Sequence, residues 1–130
     1  MFISYNQSCE KIAMGLLSYV TDLKNVARLK AEMESYIENA DRKLFLWKDE
    51  ETDNIVALIG IEISEAVVLV RHIAVSPSFR KEGIVHRLLD GLQQQYPASA
   101  INGTLETAAF IARWNQKQQA RADEETSGSV

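Results

Sequence analysis

The chain has 130 residues and a net charge of −4, from 14 Lys and Arg against 18 Asp and Glu; 46% of it is hydrophobic and 25% charged. That is the profile of one soluble domain, long enough to bury about two-thirds of its unfolded surface without disulfides or metal. Cys9 is the single cysteine, and His72 and His86 are the two histidines, so a disulfide scaffold and a zinc finger are excluded and no metal is expected. The acidic balance argues against nucleic-acid binding. With neither a spanning apolar run nor a secretory signal, the expectation is a cytoplasmic protein that does not enter the membrane.

Residues 1–5 read as a short strand, and Ser8 as the N-cap of a first helix in which Ile12, Leu16, Tyr19 and Val20 recur at helical spacing. A second helix is predicted over 24–39, with Val26, Leu29, Met33, Tyr36 and Ile37 as its apolar stripe and Asn39 as its stop. The aromatic-rich run 43–48, the acidic turn 49–54, the β-branched run 55–64 and a further run 66–75 predict a three-stranded meander. After Ser76, Pro77 and Ser78 comes a loop, then a helix from Gly83 carrying Val85, Leu88, Leu89 and Leu92 and ending before Pro97. Residues 98–104 are expected to form a fifth strand, parallel to the fourth because a helical crossover joins them. A last helix is expected over 105–118. The polar segment 120–130 has too few apolar residues to pack and reads as a mobile tail beyond a domain of residues 1–119.

Chemistry concentrates at the fourth strand and the loop after it. Between Arg71 and Arg87 stand four bases and one acid, a local +3 that leaves −7 for the rest of the chain. A strand here delivers a basic, glycine-containing turn to the start of a helix, whose first amides are unpaired and whose dipole favours an anion. Gly83 would let a diphosphate approach the backbone. The same strand, loop and helix also occur in domains that bind nothing.

The string Arg80, Lys81, Glu82, Gly83, Ile84, Val85 resembles motif A of the GCN5-related N-acetyltransferases, in which Arg or Gln is followed after two residues by Gly and, two further on, by Gly or Ala. Ile73, Ala74, Val75, Ser76 and Pro77 are similar to that family's strand ending and turn, and the element order over residues 1–118 is the family's too. The resemblance implies an α/β (α+β) fold with a mixed central sheet flanked by helices. It also implies acetyl-CoA as cosubstrate, a primary amine of a small molecule or protein as acceptor, and no metal. Ile73, Ala74 and Val75 would face the pantetheine arm, and the amides from Arg80 through Val85, with His86 beside them, the diphosphate. Val85 departs from the pattern, standing where the family has Gly or Ala. A looser resemblance is to the short acetyltransferase-like proteins encoded with riboflavin-synthesis genes in bacilli.

Many family members protonate the leaving thiolate with a Tyr on the last helix; here Phe110 and Ile111 stand near that place, and Leu69 stands where some relatives carry a strand Glu. The remaining candidates for proton transfer are Glu62 and His72. Glu62 is expected on the outer face of the sheet, and His72, read as alternating with Val68 and Val70, as a satisfied core histidine. Water is therefore expected to relay the proton. The vacant positions leave a non-catalytic coenzyme A-sensing or interaction module as the alternative. The family's C-terminal β-hairpin has no counterpart in 119–130, so the uncharged fifth strand is expected at a sheet edge that a homodimer could cover.

Overall fold

A computed structural model describes residues 1–20, 23–80 and 82–128. It begins with β1 (Phe2–Ser4), a 3₁₀ turn (Gln7–Cys9) and α1 (Glu10–Leu17), followed by α2 (Val26–Glu38). The meander is β2 (Arg42–Lys48), β3 (Ile55–Ile63) and β4 (Val67–Val75); α3 (Ile84–Gln95), β5 (Ala100–Gly103) and α4 (Ala108–Gly128) complete the order. The sheet runs β1-β2-β3-β4-β5, antiparallel up to β4 and parallel between β4 and β5. This is the mixed sheet flanked by helices that the sequence implies.

One face of the sheet carries α1 and α2 over Leu44, Leu46, Leu58 and Ala74. The other carries α3 and α4 over Phe45, Ile59, Val68, Val70 and Val75. The first helix is set differently from its sequence reading. Ser8 does not cap it: Asn6 caps the preceding 3₁₀ turn, its side chain accepting from the Ser8 amide at 3.0 Å, and α1, entered at Cys9 without a side-chain cap, buries Ala13, Leu16 and Leu17 while Ile12 is 47% exposed. In α2, Asn25 caps and only Met33 and Tyr36 are buried, with Val26 and Ile37 outside. Tyr36 lies so close to the sheet that a Cβ on Gly60 would stand 2.3 Å from its hydroxyl.

The expected mobile tail is helical up to Gly128, as the continuation of α4. A helix does not require a buried face to persist: residues 120–124 include Ala, Arg and Glu, all strong helix formers, and Gln119 donates to Asp123 at 3.1 Å one turn on. Residues 129–130 lie outside the described ones. No strand follows α4 among the described residues, and β5 stands at the edge of the sheet. No helix there is long and apolar enough to cross a membrane.

Two irregularities in β4 open the centre of the molecule. His72 pairs with Gly60 and Val70 with Ile61, so Arg71 has no partner on β3 and forms a β-bulge. The bulge inverts the alternation: Val68 and Val70 face the α3–α4 core, as do Ile73 and Val75, whereas His72 and Ala74 face α2 and α1. His72 therefore does not alternate with Val68 and Val70 as the sequence suggests. The second irregularity is that β4 and β5 pair only as far as Val70 and Gly103. There the Thr104 amide and Thr107 Oγ1 both donate to the Val70 carbonyl, at 3.3 and 2.8 Å, and close the ladder. Beyond that point the outer edge of β4, from Ile73 to Val75, has no strand beside it.

Candidate active site

A string of cavities follows that open edge. It begins at the N-terminus of α3, where a small hollow of about 130 Å³ is lined by Arg80, Gly83, Val85, His86, Phe110 and Arg113. It continues as a space of about 350 Å³ along Ile73, Ala74 and Val75, then one of about 310 Å³ bounded by Tyr19, His72, Ile73, Thr107 and Phe110. It ends in a cavity of about 400 Å³ under α2, lined by Arg28, Glu32, Arg71, His72 and Glu106 among others. Neighbouring spaces share side chains: Arg80, Val85 and Phe110 between the first two, Tyr19, Ile73 and Phe110 between the next, and Arg71, His72 and Glu106 between the last.

The α3 end has the properties of an anion cradle. Gly83 is the N-cap, with φ 73° and ψ 18°, and no side chain caps the helix, so its first amides have no capping partner. A Cβ built on Gly83 would meet nothing within 4 Å, which means the backbone faces open space. His86 adds a buried Nδ1 that has no hydrogen-bond partner among the described residues. Arg80 is held against the end of β4, its Nε donating to the Val75 carbonyl at 3.1 Å and its guanidinium lying 5.5 Å from the Tyr19 ring centre. Ile84 is buried in the core, and Val85 packs partly against it while lining the first two spaces. Glu82 is exposed, its amide donating to the Phe79 carbonyl at 3.4 Å. Lys81 lies outside the described residues.

The other end is built by the bulge, which turns the consecutive residues Arg71 and His72 toward α2. Arg71 donates to Glu32, and its guanidinium sits 5.4 Å from the Tyr36 ring centre. Burial raises the pKa of Glu32, but its bond to Arg71 and the charges of Arg71, His72 and Arg42 outweigh this and hold the carboxyl below the usual range. Tyr36 Oη and His72 Nδ1 are 2.5 Å apart. Burial pushes the phenol pKa up and that of the imidazole down, so the phenol keeps its hydrogen and the ring is neutral near pH 7. With the phenol as the donor of this contact, Nδ1 accepts and His72 carries its own hydrogen on Nε2.

Glu62 is not part of this cleft. It pairs with Arg42 at 3.0 Å beside α2 and lines none of these cavities. Phe110 lines three of the spaces, so the last helix presents an aromatic ring without a hydroxyl there. In the sequence Tyr36 and Tyr19 belong to apolar stripes, and nothing there marks Glu32, Glu106 or Thr107. The one legible clue was Gly60, a glycine inside a β-branched strand, which marks a bulge or a close approach.

Acid sensitivity follows from the depressed pKa of His72. The unfolded chain takes up this proton near pH 6.5 while the folded protein resists it. Stability is therefore present above pH 6.5 and declines as the pH falls toward the lower folded-state value. Urea midpoints measured from pH 7.5 to 5 should fall on the acid side, and His72→Gln should flatten part of that decline. An identical slope in the variant would show that His72 does not titrate as its burial requires.

The β4 edge left bare where β5 ends thus runs from an uncapped helix N-terminus to a polar cavity. The acetyltransferase (GNAT) domain family matches residues 16–113, and the chain belongs to that family. It is 41% identical over 114 residues, 87% of this chain and 93% of the relative, to an uncharacterized N-acetyltransferase in the lysA 3' region of Bacillus methanolicus. Among solved structures it is similar to the aminoglycoside acetyltransferase AAC(6')-Iy bound to the bisubstrate analogue CoA-S-monomethyl-acetylneamine. The TM-score is 0.70 at 17% identity, covering 92% of this chain and 87% of that one. It also resembles a ribosomal-protein-alanine N-acetyltransferase from Brucella melitensis biovar Abortus, with TM-score 0.68, 13% identity and 89% of each chain covered. The protein is an N-acetyltransferase.

Proposed function

We propose that this enzyme transfers the acetyl group of acetyl-CoA to a primary amine bound under α2, with the diphosphate on the α3 amides and the pantetheine arm along Ile73, Ala74 and Val75. The observation that carries the reading is the continuity of the cavities from Gly83 to His72 along an unpaired strand edge. The site fits such a cosubstrate: an open backbone at Gly83 and an orphaned Nδ1 on His86 at one end, and a β4 edge able to hydrogen-bond an amide-containing arm. Acetyl-CoA supplies a thioester whose carbonyl carbon an amine attacks, forming the C–N bond as the C–S bond breaks.

The residues of the chain then divide the work. His72, at the junction of the last two cavities, offers its Nε2 hydrogen to the thioester carbonyl oxygen, where negative charge grows. Tyr36 fixes that tautomer by donating to Nδ1, and Arg71 and Glu32 fix Tyr36. This makes His72 a donor, not a base, and leaves removal of the amine proton to water in the cleft, as the sequence reading expects. The test is calorimetric titration with acetyl-CoA, followed by release of free thiol in the presence of amines. Binding with amine-dependent thiol release is the expected result; a folded protein that binds no acetyl-CoA would overturn the reading.

A further inference from the structure

The cavity under α2 contains more charge than a general amine site requires, and the charges are unevenly satisfied. Arg71 is bonded to Glu32, Glu32 lies 3.8 Å from Arg42, and Arg42 is bonded to Glu62. These two acids and two bases form a closed cluster with no net charge. Two further charged side chains line the cavity, Arg28 and Glu106, and neither has an ion-pair partner among the described residues. Arg28 sits in the first turn of α2, where the helix dipole disfavours a cation unless an anion is at hand. Glu106 is fully ionised near neutrality, its pKa lowered by hydrogen bonds from its own backbone and from Thr104.

Their positions along the cleft differ. Glu106 and His72 line both the α2 cavity and the adjoining space next to Ile73, where the thioester would end; Arg28 lines only the α2 cavity. The acid thus stands at the end nearer Ile73 and the free base at the far end, both exposed to solvent. We infer, resting on the acetyl-transfer reading above, that the acceptor is a small amino carboxylate. Its ammonium enters toward Glu106 and His72, and its carboxylate is held by Arg28. A cavity of about 400 Å³ suits a molecule of amino-acid size. A polycation such as acetylneamine, carried by the ligand of one structural neighbour, needs several unpaired acids, and this lining offers one acid balanced by one base.

The experiment measures thiol release from acetyl-CoA with four kinds of amine: amino carboxylates of graded chain length, alkylamines of matched length without the carboxylate, diamines, and neamine. The best amino carboxylate should have a KM about tenfold below that of its matched alkylamine, the discrimination one charge-assisted Arg–carboxylate pair provides. In Arg28→Gln that KM ratio should fall to near one. Better turnover of diamines or neamine, or a KM ratio unchanged in R28Q, would overturn the inference and leave the acetyl-transfer reading standing. If no amine is turned over, calorimetric titration of the amino carboxylates into protein saturated with coenzyme A decides. Binding that R28Q weakens about tenfold supports the inference and absence of binding overturns it, whereas failure to bind coenzyme A overturns the acetyl-transfer reading instead.

Discussion

Replacing Gly83 by valine is expected to abolish acetyl-CoA binding while the fold survives. Gly83 adopts φ 73°, a left-handed conformation that costs a β-branched residue on the order of 1–3 kcal/mol. Its Cβ position faces space empty to 4 Å, so the new side chain displaces no core contact. It does fill the approach to the amides at the start of α3, which no side chain caps. Gly83→Asn separates the two effects, because asparagine tolerates the left-handed region but still has bulk. Weak or absent binding in both variants, with cooperative thermal unfolding retained, assigns the loss to blocked approach. A folded Gly83→Val protein that titrates with wild-type affinity would remove the diphosphate from this loop.

That loop is the part of the site most legible in the sequence, because everything it uses is local. A strand, a turn containing Arg80 and Gly83, and a helix start follow one another within 20 residues, and the left-handed glycine is where the spacing puts it. The order of strands and helices was legible for the same reason, since each element shows its own period. What the sequence hides is phase and distance. A bulge adds one residue without ending the strand pattern over 67–75, so the local period does not reveal that Arg71 breaks the alternation and turns His72 away from Val68 and Val70. The partner of His72 is Tyr36, 36 residues earlier, and its place under α2 depends on the missing side chain of Gly60. At 120–128 the polar composition shows no packing face, and the chain there continues α4.

Removing the imidazole hydrogen-bond donor should impair turnover by about 10²–10³-fold in kcat, the usual cost of losing one donor to a developing oxyanion. His72→Leu makes that change with little loss of volume, and coenzyme A affinity should be unaffected because the α3 amides and the β4 edge are untouched. His72→Gln keeps an N–H at a similar reach, so it should retain most of the activity that leucine loses. Were His72 a base, glutamine and leucine would be equally damaging. Tyr36→Phe tests the positioning step: without the phenol hydrogen on Nδ1, the ring is free to exchange tautomers and to accept a proton. The ¹⁵N shifts of His72 should move from an Nε2–H pattern toward a mixture of the two tautomers. A merely structural tyrosine would lower stability without changing that pattern. Full activity in His72→Leu would exclude the donor role, and an unaltered ¹⁵N pattern in Tyr36→Phe would show that the tautomer is fixed by something other than the contact at 2.5 Å.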